Sequence, residues 1–224
     1  MSAPHWIGRN DPDAFQQSYV EAAHAVADAA RDYQWARLLD LLTRDPGRIT
    51  AGRLGGTSGY TPLHQAAHGG APVEVVQALL ELGALRTLRT TAGEQAVDIA
   101  RQRGHQHLLD LLTTKPTLTF PAAKLATVEA AVHQVIRDRE DIQHLLNGTT
   151  MRFPPLELLT ETPGNELWFP IPGMYGGFHL QLGQVAGEPI CIVDSWIRVV
   201  EGSEERRLVS TGGIQKLLQQ TDDI

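Results

Sequence analysis

The sequence predicts an α+β chain in which a short N-terminal array of helix pairs precedes a long helix packed on a small antiparallel sheet. Three observations predict this fold class. A turn-and-helix pattern that begins at Gly59 recurs at Gly93, 34 residues later. Apolar residues at helical spacing follow Pro116. Beyond Pro154 and Pro155, short β-rich segments alternate with turn residues, as expected for a meandering sheet.

Composition limits the classes of function. The 224 residues and the hydrophobic fraction of 42% suit a folded protein with a buried core. A net charge of −7 and only three lysines argue against a broad electrostatic contact with DNA or RNA. The single cysteine, Cys191, excludes an intramolecular disulfide and a multi-cysteine zinc site.

Location and domain division are also expectations from the sequence. The first ten residues lack a signal-peptide pattern, and no apolar run reaches the roughly 20 residues that span a bilayer. We therefore expect a cytoplasmic protein that does not enter membranes, and the abundance of Ala, Leu and Arg over Lys indicates a bacterial source. We expect two domains, residues 1–115 and residues 116–224.

The helix pairs of the first domain are predicted in order along the chain. An alanine-rich segment, residues 19–31, and a leucine stripe, residues 35–42, predict a capping pair followed by a long finger loop. The next pair is the most complete. Thr61 is expected to cap a helix that begins at Pro62, and Gly83 is expected to end the second helix of the pair. A third pair follows the repeated pattern at Gly93.

Residues 59–67 read Gly-Tyr-Thr-Pro-Leu-His-Gln-Ala-Ala and resemble the Thr-Pro-Leu-His signature of the ankyrin repeat. The unit from Gly93 resembles it less closely, because Gln95 and Ala96 replace Thr and Pro. The resemblance implies that His64 hydrogen-bonds the backbone of the neighbouring repeat. It also implies binding of a protein partner through finger loops and the concave face, with these candidate residues: Tyr60, Gln65, Arg86, Arg89 and Gln95.

The second domain is predicted to begin with a helix of about six turns, since eight apolar residues between Leu125 and Leu146 keep helical spacing. Four strands are predicted after it: residues 167–171, 177–182, 190–200 and 206–210. Two stretches in this region, residues 168–178 and 195–203, resemble a domain of bacterial ankyrin-repeat proteins. The first of them reads Trp-Phe-Pro-Ile-Pro-Gly-Met-Tyr-Gly-Gly-Phe. This resemblance supports the fold and implies no activity.

Alternation along the predicted strands brings chemically useful side chains to one face of the sheet. An imidazole, a carboxylate and a guanidinium on one surface could perform acid–base catalysis. The catalytic candidates are His179, Asp194 and Arg198, and the substrate-binding candidates are Trp168, Tyr175, Gln181 and Trp196. The alternative is the ordinary polar outer face of an antiparallel sheet, in which such residues are simply solvated.

Other catalytic arrangements are less compatible with the sequence. Asp194 and Ser195 are adjacent in a strand and point to opposite faces, so His179 cannot meet both in a Ser-His-Asp triad. One cysteine and no His-Glu-x-x-His motif predict no metal site, and we expect no cofactor.

Two hypotheses of function remain. The first is an ankyrin-repeat interaction protein that binds a protein partner. The second is a small cofactor-independent enzyme of bacterial specialised metabolism, which would dehydrate, cyclise or add a nucleophile in Michael fashion to a polyketide-like substrate. His179 and Asp194 would exchange protons, and Arg198 would bind developing negative charge. The sequence leaves open whether the chain is catalytic, which partner or substrate it takes, and its oligomeric state.

Overall fold

The computed structural model describes residues 4–139, 142–146, 151–197 and 204–217. It divides the chain into two units. The array unit comprises Arg9–Lys115, and the sheet unit combines the chain up to Gly8 with everything from Pro116 onward. The array unit is therefore inserted in sequence between two segments of the sheet unit, which the sequence did not reveal. Helices precede a five-stranded antiparallel sheet, so the predicted α+β fold is confirmed.

The array unit consists of three consecutive helix pairs. Short 3-10 turns flank them, and the last leucine stripe is divided between such a turn and a single helical turn. The helices are α1 (Gln17–Arg31), α2 (Trp35–Arg44), α3 (Pro62–Gly69), α4 (Val73–Glu81), α5 (Ala96–Gln102) and α6 (Leu109–Leu112). Within the described residues, no helix combines the length and the apolar character needed to cross a membrane.

The first helices of the three pairs pack side by side through alanines. Ala30 in α1, Ala66 in α3 and Ala100 in α5 are fully buried, and α3 contacts both α1 and α5. A methyl group is the largest side chain at these positions, so the neighbouring backbones can approach closely. The second helices contribute the larger buried side chains of the array: Leu38, Leu42, Val76, Leu79, Leu108 and Leu112.

His64 links the complete repeat to the loop that leads to the next one. Its Nδ1 lies 3.2 Å from the Thr61 backbone nitrogen, which donates to it, and its Nε2 lies 3.1 Å from the Leu88 carbonyl oxygen. Because Nδ1 accepts a hydrogen bond, Nε2 carries the ring proton and donates to Leu88, as the resemblance implied. Burial lowers the pKa of His64 from 6.5 to about 4, so the ring is neutral near pH 7.

The sheet of the other unit is a simple meander in which sequence neighbours pair, in the order β1-β2-β3-β4-β5. The fifth strand was not predicted. The strands are β1 (Glu166–Ile171), β2 (Gly176–Val185), β3 (Glu188–Ile197), β4 (Glu204–Ser210) and β5 (Gly213–Leu217). Tight turns join β2 to β3 and β4 to β5, and Gly213, which begins β5 directly after the second turn, has φ 125°.

The long helix of the sheet unit is α7 (Ala122–Arg137), which packs on β3 and β4. The predicted six turns were too many, since α7 ends at Arg137 and the last two residues of the apolar stripe, Leu145 and Leu146, belong to a separate short helix, α8 (Gln143–Leu146). Arg139 follows the end of α7 with its side chain buried, and its guanidinium donates to Ser195 Oγ on the inner face of the sheet. A continuous apolar stripe could not reveal that the chain turns inward at this point.

The inner face of the sheet, which faces α7, forms the core of this unit. The buried residues of β1, β2, β3 and β4 on this face are Leu167, Phe169, Ile171, Phe178, Leu180, Leu182, Cys191, Val193 and Val209. Burial raises the pKa of the Cys191 thiol to about 12, so it stays protonated and unreactive. The alternation that the sequence predicted for β2 and β3 is therefore present.

The beginning of the chain covers the free edge of β1. Residues 4–6 run parallel to this strand, where the Trp6 amide donates to the Trp168 carbonyl at 2.8 Å and the Trp168 amide donates to the Pro4 carbonyl at 2.8 Å. The Trp6 indole is buried, and its Nε1 donates to the Arg152 carbonyl at 2.7 Å. These contacts protect backbone groups that an exposed edge strand would leave unpaired.

We expect the stability of the array to depend on pH through His64. Below pH 6.5 His64 becomes protonated in the unfolded chain, whereas in the folded protein it stays neutral until about pH 4. The contribution of His64 to the free energy of unfolding is therefore complete above pH 6.5 and is lost as pH falls. Between pH 6.5 and 5 the native protein should lose about 1.5 kcal/mol more unfolding free energy than a His64→Gln variant. Urea unfolding at a series of pH values measures the difference, and parallel curves for the two proteins would refute it.

Candidate functional site

The outer face of the sheet, opposite α7, brings the predicted acid–base residues together. In the register of the strands, Trp168 of β1, His179 of β2, Asp194 of β3 and Arg206 of β4 occupy one continuous row. His179 and Asp194 are therefore direct cross-strand partners, whose side chains can interact. Arg198, the third catalytic candidate, lies outside the described residues.

His179 lies between two carboxylates. Its Nε2 is 3.1 Å from Glu166 Oε2, and its Nδ1 is 3.9 Å from Asp194 Oδ2. Because an ionised carboxylate only accepts hydrogen bonds, the Nε2 atom carries a proton that it donates to Glu166. The side chains of His179, Glu166 and Asp194 are 29, 30 and 25% exposed, so all three remain partly accessible to a ligand.

Two members of this cluster were missed by sequence reasoning. Glu166 binds His179, and Arg206 Nε lies 3.2 Å from Asp194 Oδ1. A signal for both was present, since Glu166 is two residues before Trp168 on the same strand face and Arg206 begins the segment predicted as the last strand. The cluster as built holds two carboxylates, one imidazole and one guanidinium, a set that can bind charged groups or exchange protons.

An aromatic pair lies beside the charged cluster. The rings of Trp168 and Trp196 stack with centroids 5.2 Å apart and planes 24° from parallel, although they belong to β1 and β3. The β2 residue opposite Trp196 is Gly177, which has no side chain to separate them. A Cβ at Gly177 would lie 2.3 Å from the Phe169 carbonyl oxygen, so the close approach of β1 and β2 requires glycine here.

The remaining substrate-binding candidates lie in different places. Gln181 occupies the next row of the outer face, between Glu166 and Ile192. Tyr175 is in the turn between β1 and β2 with φ 52°, and 79% of its surface is exposed.

Among the described residues, no group of three or more His, Cys, Asp or Glu side chains is arranged to hold a metal ion.

The array unit has a second candidate site, a groove of about 130 Å³ between α1, α3 and the finger loop that precedes α3. Two of the partner-binding candidates, Tyr60 and Gln65, line it. Arg31 and Arg53 line it as well, and both contact Asp28, at 3.1 Å and 2.5 Å. The groove therefore combines an aromatic ring, an amide and two guanidinium groups.

A ladder of side chains near the C-terminal ends of α1, α3 and α5 continues this surface. Tyr33, His68 and Arg103 are each 35 residues apart, and Tyr60 packs edge-on against the His68 ring. Arg103 contacts the His68 ring, and the Tyr33 hydroxyl shares a hydrogen bond of 2.7 Å with His68 Nδ1. Burial first, and then the nearby Arg103 and His105, hold the pKa of His68 below its ordinary value.

The other partner-binding candidates hold the array together. Arg86 Nε donates to the Leu111 carbonyl at 2.8 Å, and Arg89 donates to the Gly93 carbonyl at 3.1 Å. Gln95 caps α5, where its backbone amide donates to Asp98 Oδ2 at 3.0 Å. Gln95 and Asp98 thus repeat the capping arrangement of Thr61 and His64 with different residues.

Comparison with known protein families agrees with the geometry of the array. The family described as Ankyrin repeat matches residues 58–91, which span α3, α4 and the loop that follows them. The chain has no match among curated proteins. The match supports the helix-pair architecture of this segment and, in general terms, a role in protein interaction.

Proposed function

We propose that this chain is a bacterial cytoplasmic interaction protein whose array unit binds a protein partner through the groove and the adjoining ladder. The ankyrin-repeat match at residues 58–91 carries the proposal, because the matched segment includes the start of α3, which forms one wall of the groove. Repeat proteins of this kind bind partners along the surface formed by successive repeats, so a shared surface across three pairs is the expected binding region.

The chemistry of the surface supports a partner segment with both polar and apolar groups. Tyr60 offers a ring, and Gln65 offers an amide that can both donate and accept. The Tyr33 hydroxyl has one donor and two acceptor positions, so beside its hydrogen bond with His68 Nδ1 it can also bond a polar group of the partner. A groove of about 130 Å³ accommodates one or two side chains, and the exposed ladder extends the contact beyond them.

Contacts within the array reduce the number of residues that we assign to partner binding. Arg86, Arg89 and Gln95 each serve a neighbouring loop or helix of the array, so their substitution would change stability as well as binding. Tyr60 and Gln65 line the groove, and we add Arg53 and Tyr33 to them.

We expect a Gln65→Glu substitution to weaken partner binding at least tenfold, about 1.4 kcal/mol, because it places a charge in the contact surface. Gln77→Glu is the matched control, since Gln77 is exposed on α4 and does not line the groove. A photo-crosslinking amino acid at position 65 or 77 captures the partner from source cells, and titration then measures its affinity for each variant. A partner that crosslinks at 77, or binds Gln65→Glu as tightly as the native protein, would contradict the assignment.

The second candidate function is cofactor-independent acid–base catalysis on the outer face of the sheet unit. The position of the His179 imidazole between Glu166 and Asp194 favours it, since such a ring can pass a proton between a substrate and a carboxylate. We propose a polyketide-like substrate that undergoes dehydration, Michael-type addition or cyclisation. Trp168, Tyr175, Gln181 and Trp196 are the residues proposed to contact it.

A double variant tests these roles directly. β-Hydroxyacyl thioesters of N-acetylcysteamine serve as dehydration probes, and mass spectrometry follows loss of water. The native protein should convert the probe, and His179→Ala with Asp194→Ala should lower the rate by about 100-fold or more, since a positioned acid–base group typically contributes this much. Glu74→Gln, on the array, is the control. Turnover retained in the double variant, or absent in the native protein, counts against this function.

A further inference from the structure

The stacked pair of Trp168 and Trp196 places two aromatic side chains next to each other on the outer face of the sheet. Trp196 is 38% exposed, although burial of a tryptophan side chain would contribute favourably to folding. The two indoles meet over Gly177, so the packing that exposes them is built into the register of three strands. An exposed aromatic pair of this kind, fixed by the backbone, is typical of a recognition surface.

Carboxylates surround this aromatic pair. Glu166 lies two residues from Trp168 on the same strand face, Asp194 lies two residues from Trp196, and Glu204 of β4 is the register partner of Trp196. Arg206 is the one Arg or Lys among the described residues of this face, and it is paired with Asp194. Each carboxylate has about four acceptor positions, so Glu166 and Asp194 can accept further hydrogen bonds beside their present partners.

The sheet unit as a whole also carries more negative charge than the array unit. Residues 1–8 and 116–224 contain 14 acidic and 8 basic side chains, whereas residues 9–115 contain 12 acidic and 11 basic ones. The excess negative charge of the chain therefore belongs almost entirely to the sheet unit. On the outer face itself, Glu166, Asp194 and Glu204 outnumber Arg206 among the described residues, so the face attracts cations, and aromatic faces stabilise them further through cation–π interaction.

We propose that the outer face of the sheet binds a basic segment of a partner protein, with an arginine or lysine side chain over the Trp168–Trp196 pair. The carboxylates from Glu166 on β1 to Glu204 on β4 extend across three strand spacings, about 14 Å, which exceeds the reach of a single small ammonium ion. A peptide with several cations spans this distance. Ile192 and Leu208, half-buried neighbours on the same face, contact the aliphatic parts of its long side chains.

This binding site is separate from the groove of the array unit and goes beyond the partner binding proposed there. A catalytic surface of the predicted kind would stabilise negative charge on a substrate. Glu166 adds a carboxylate that the sequence analysis did not count, so the charge of this face favours a cation instead. Recognition of a guanidinium group by paired carboxylates and aromatic rings uses short, charge-assisted hydrogen bonds and stacking together.

Calorimetric titration of the full chain with a synthetic nonapeptide of alternating arginine and glycine tests the proposal. The same peptide with citrulline in place of arginine keeps the shape and removes the charge. We expect the arginine peptide to bind at least tenfold more tightly than the citrulline peptide, with an affinity that falls as salt is added. Equal affinities for the two peptides, or no binding of the arginine peptide at millimolar concentration, would overturn the proposal.

Variants then locate the site. Trp196→Ala should weaken the arginine peptide at least tenfold, and Glu204→Gln, an exposed substitution at the start of β4 that leaves the core intact, should weaken it about threefold or more. Glu74→Gln, an exposed charge removal of the same type on α4, should leave the affinity unchanged. If Glu74→Gln and Glu204→Gln weaken binding equally, the attraction is non-specific and the assignment to this face is wrong. This test is independent of the groove. If substitutions in the groove of the array unit changed the binding of no partner, the result for the arginine peptide would still stand.

Discussion

The way in which each helix or strand is aligned with its neighbour is the constraint on which the rest of the structure depends. The register of β1, β2 and β3 is the clearest example. Side chains alternate between the two faces of a strand, so a slip of one residue exchanges every inner residue for an outer one. With the present register, Phe169 and Phe178 stack within the core while Trp168, His179 and Asp194 face outward. Gly177 helps to fix it, since the Phe169 carbonyl leaves no room for a Cβ there.

The array depends on alignment in a different way. Each helix pair buries its apolar face only against the next pair, so stability comes from neighbouring repeats rather than from a single centre. His64 contributes at one of these junctions by accepting from Thr61 and donating to Leu88. Tyr33, His68 and Arg103 lie near the C-terminal ends of α1, α3 and α5, so the side-by-side packing that buries the alanines also brings the ladder residues together on the surface.

Much of the fold and of the candidate site could be predicted from the sequence wherever residue type and spacing determine the structure. The cap at Thr61, the alternation in β2 and β3, and the shared face of His179 and Asp194 all follow from residue type and spacing. The pairing of residues 4–6 with β1 could not be predicted, because it uses backbone amides and carbonyls, which every sequence possesses. Glu166 and Arg206 were missed because strand parity was applied to two strands only, and the end of α7 depends on the buried contact of Arg139 with Ser195.

The candidate catalytic function of the sheet unit and the basic-segment site both require the same outer face of the sheet. The most direct test is a map of nuclear Overhauser contacts from the ring protons of Trp168 in the full chain. We expect cross-peaks to the Trp196 indole, whose centroid is 5.2 Å away, and to His179, its register partner. Cross-peaks from Trp168 to Phe178 or Leu180, without those to Trp196 and His179, would mean that the tryptophan faces the core, and would contradict the account.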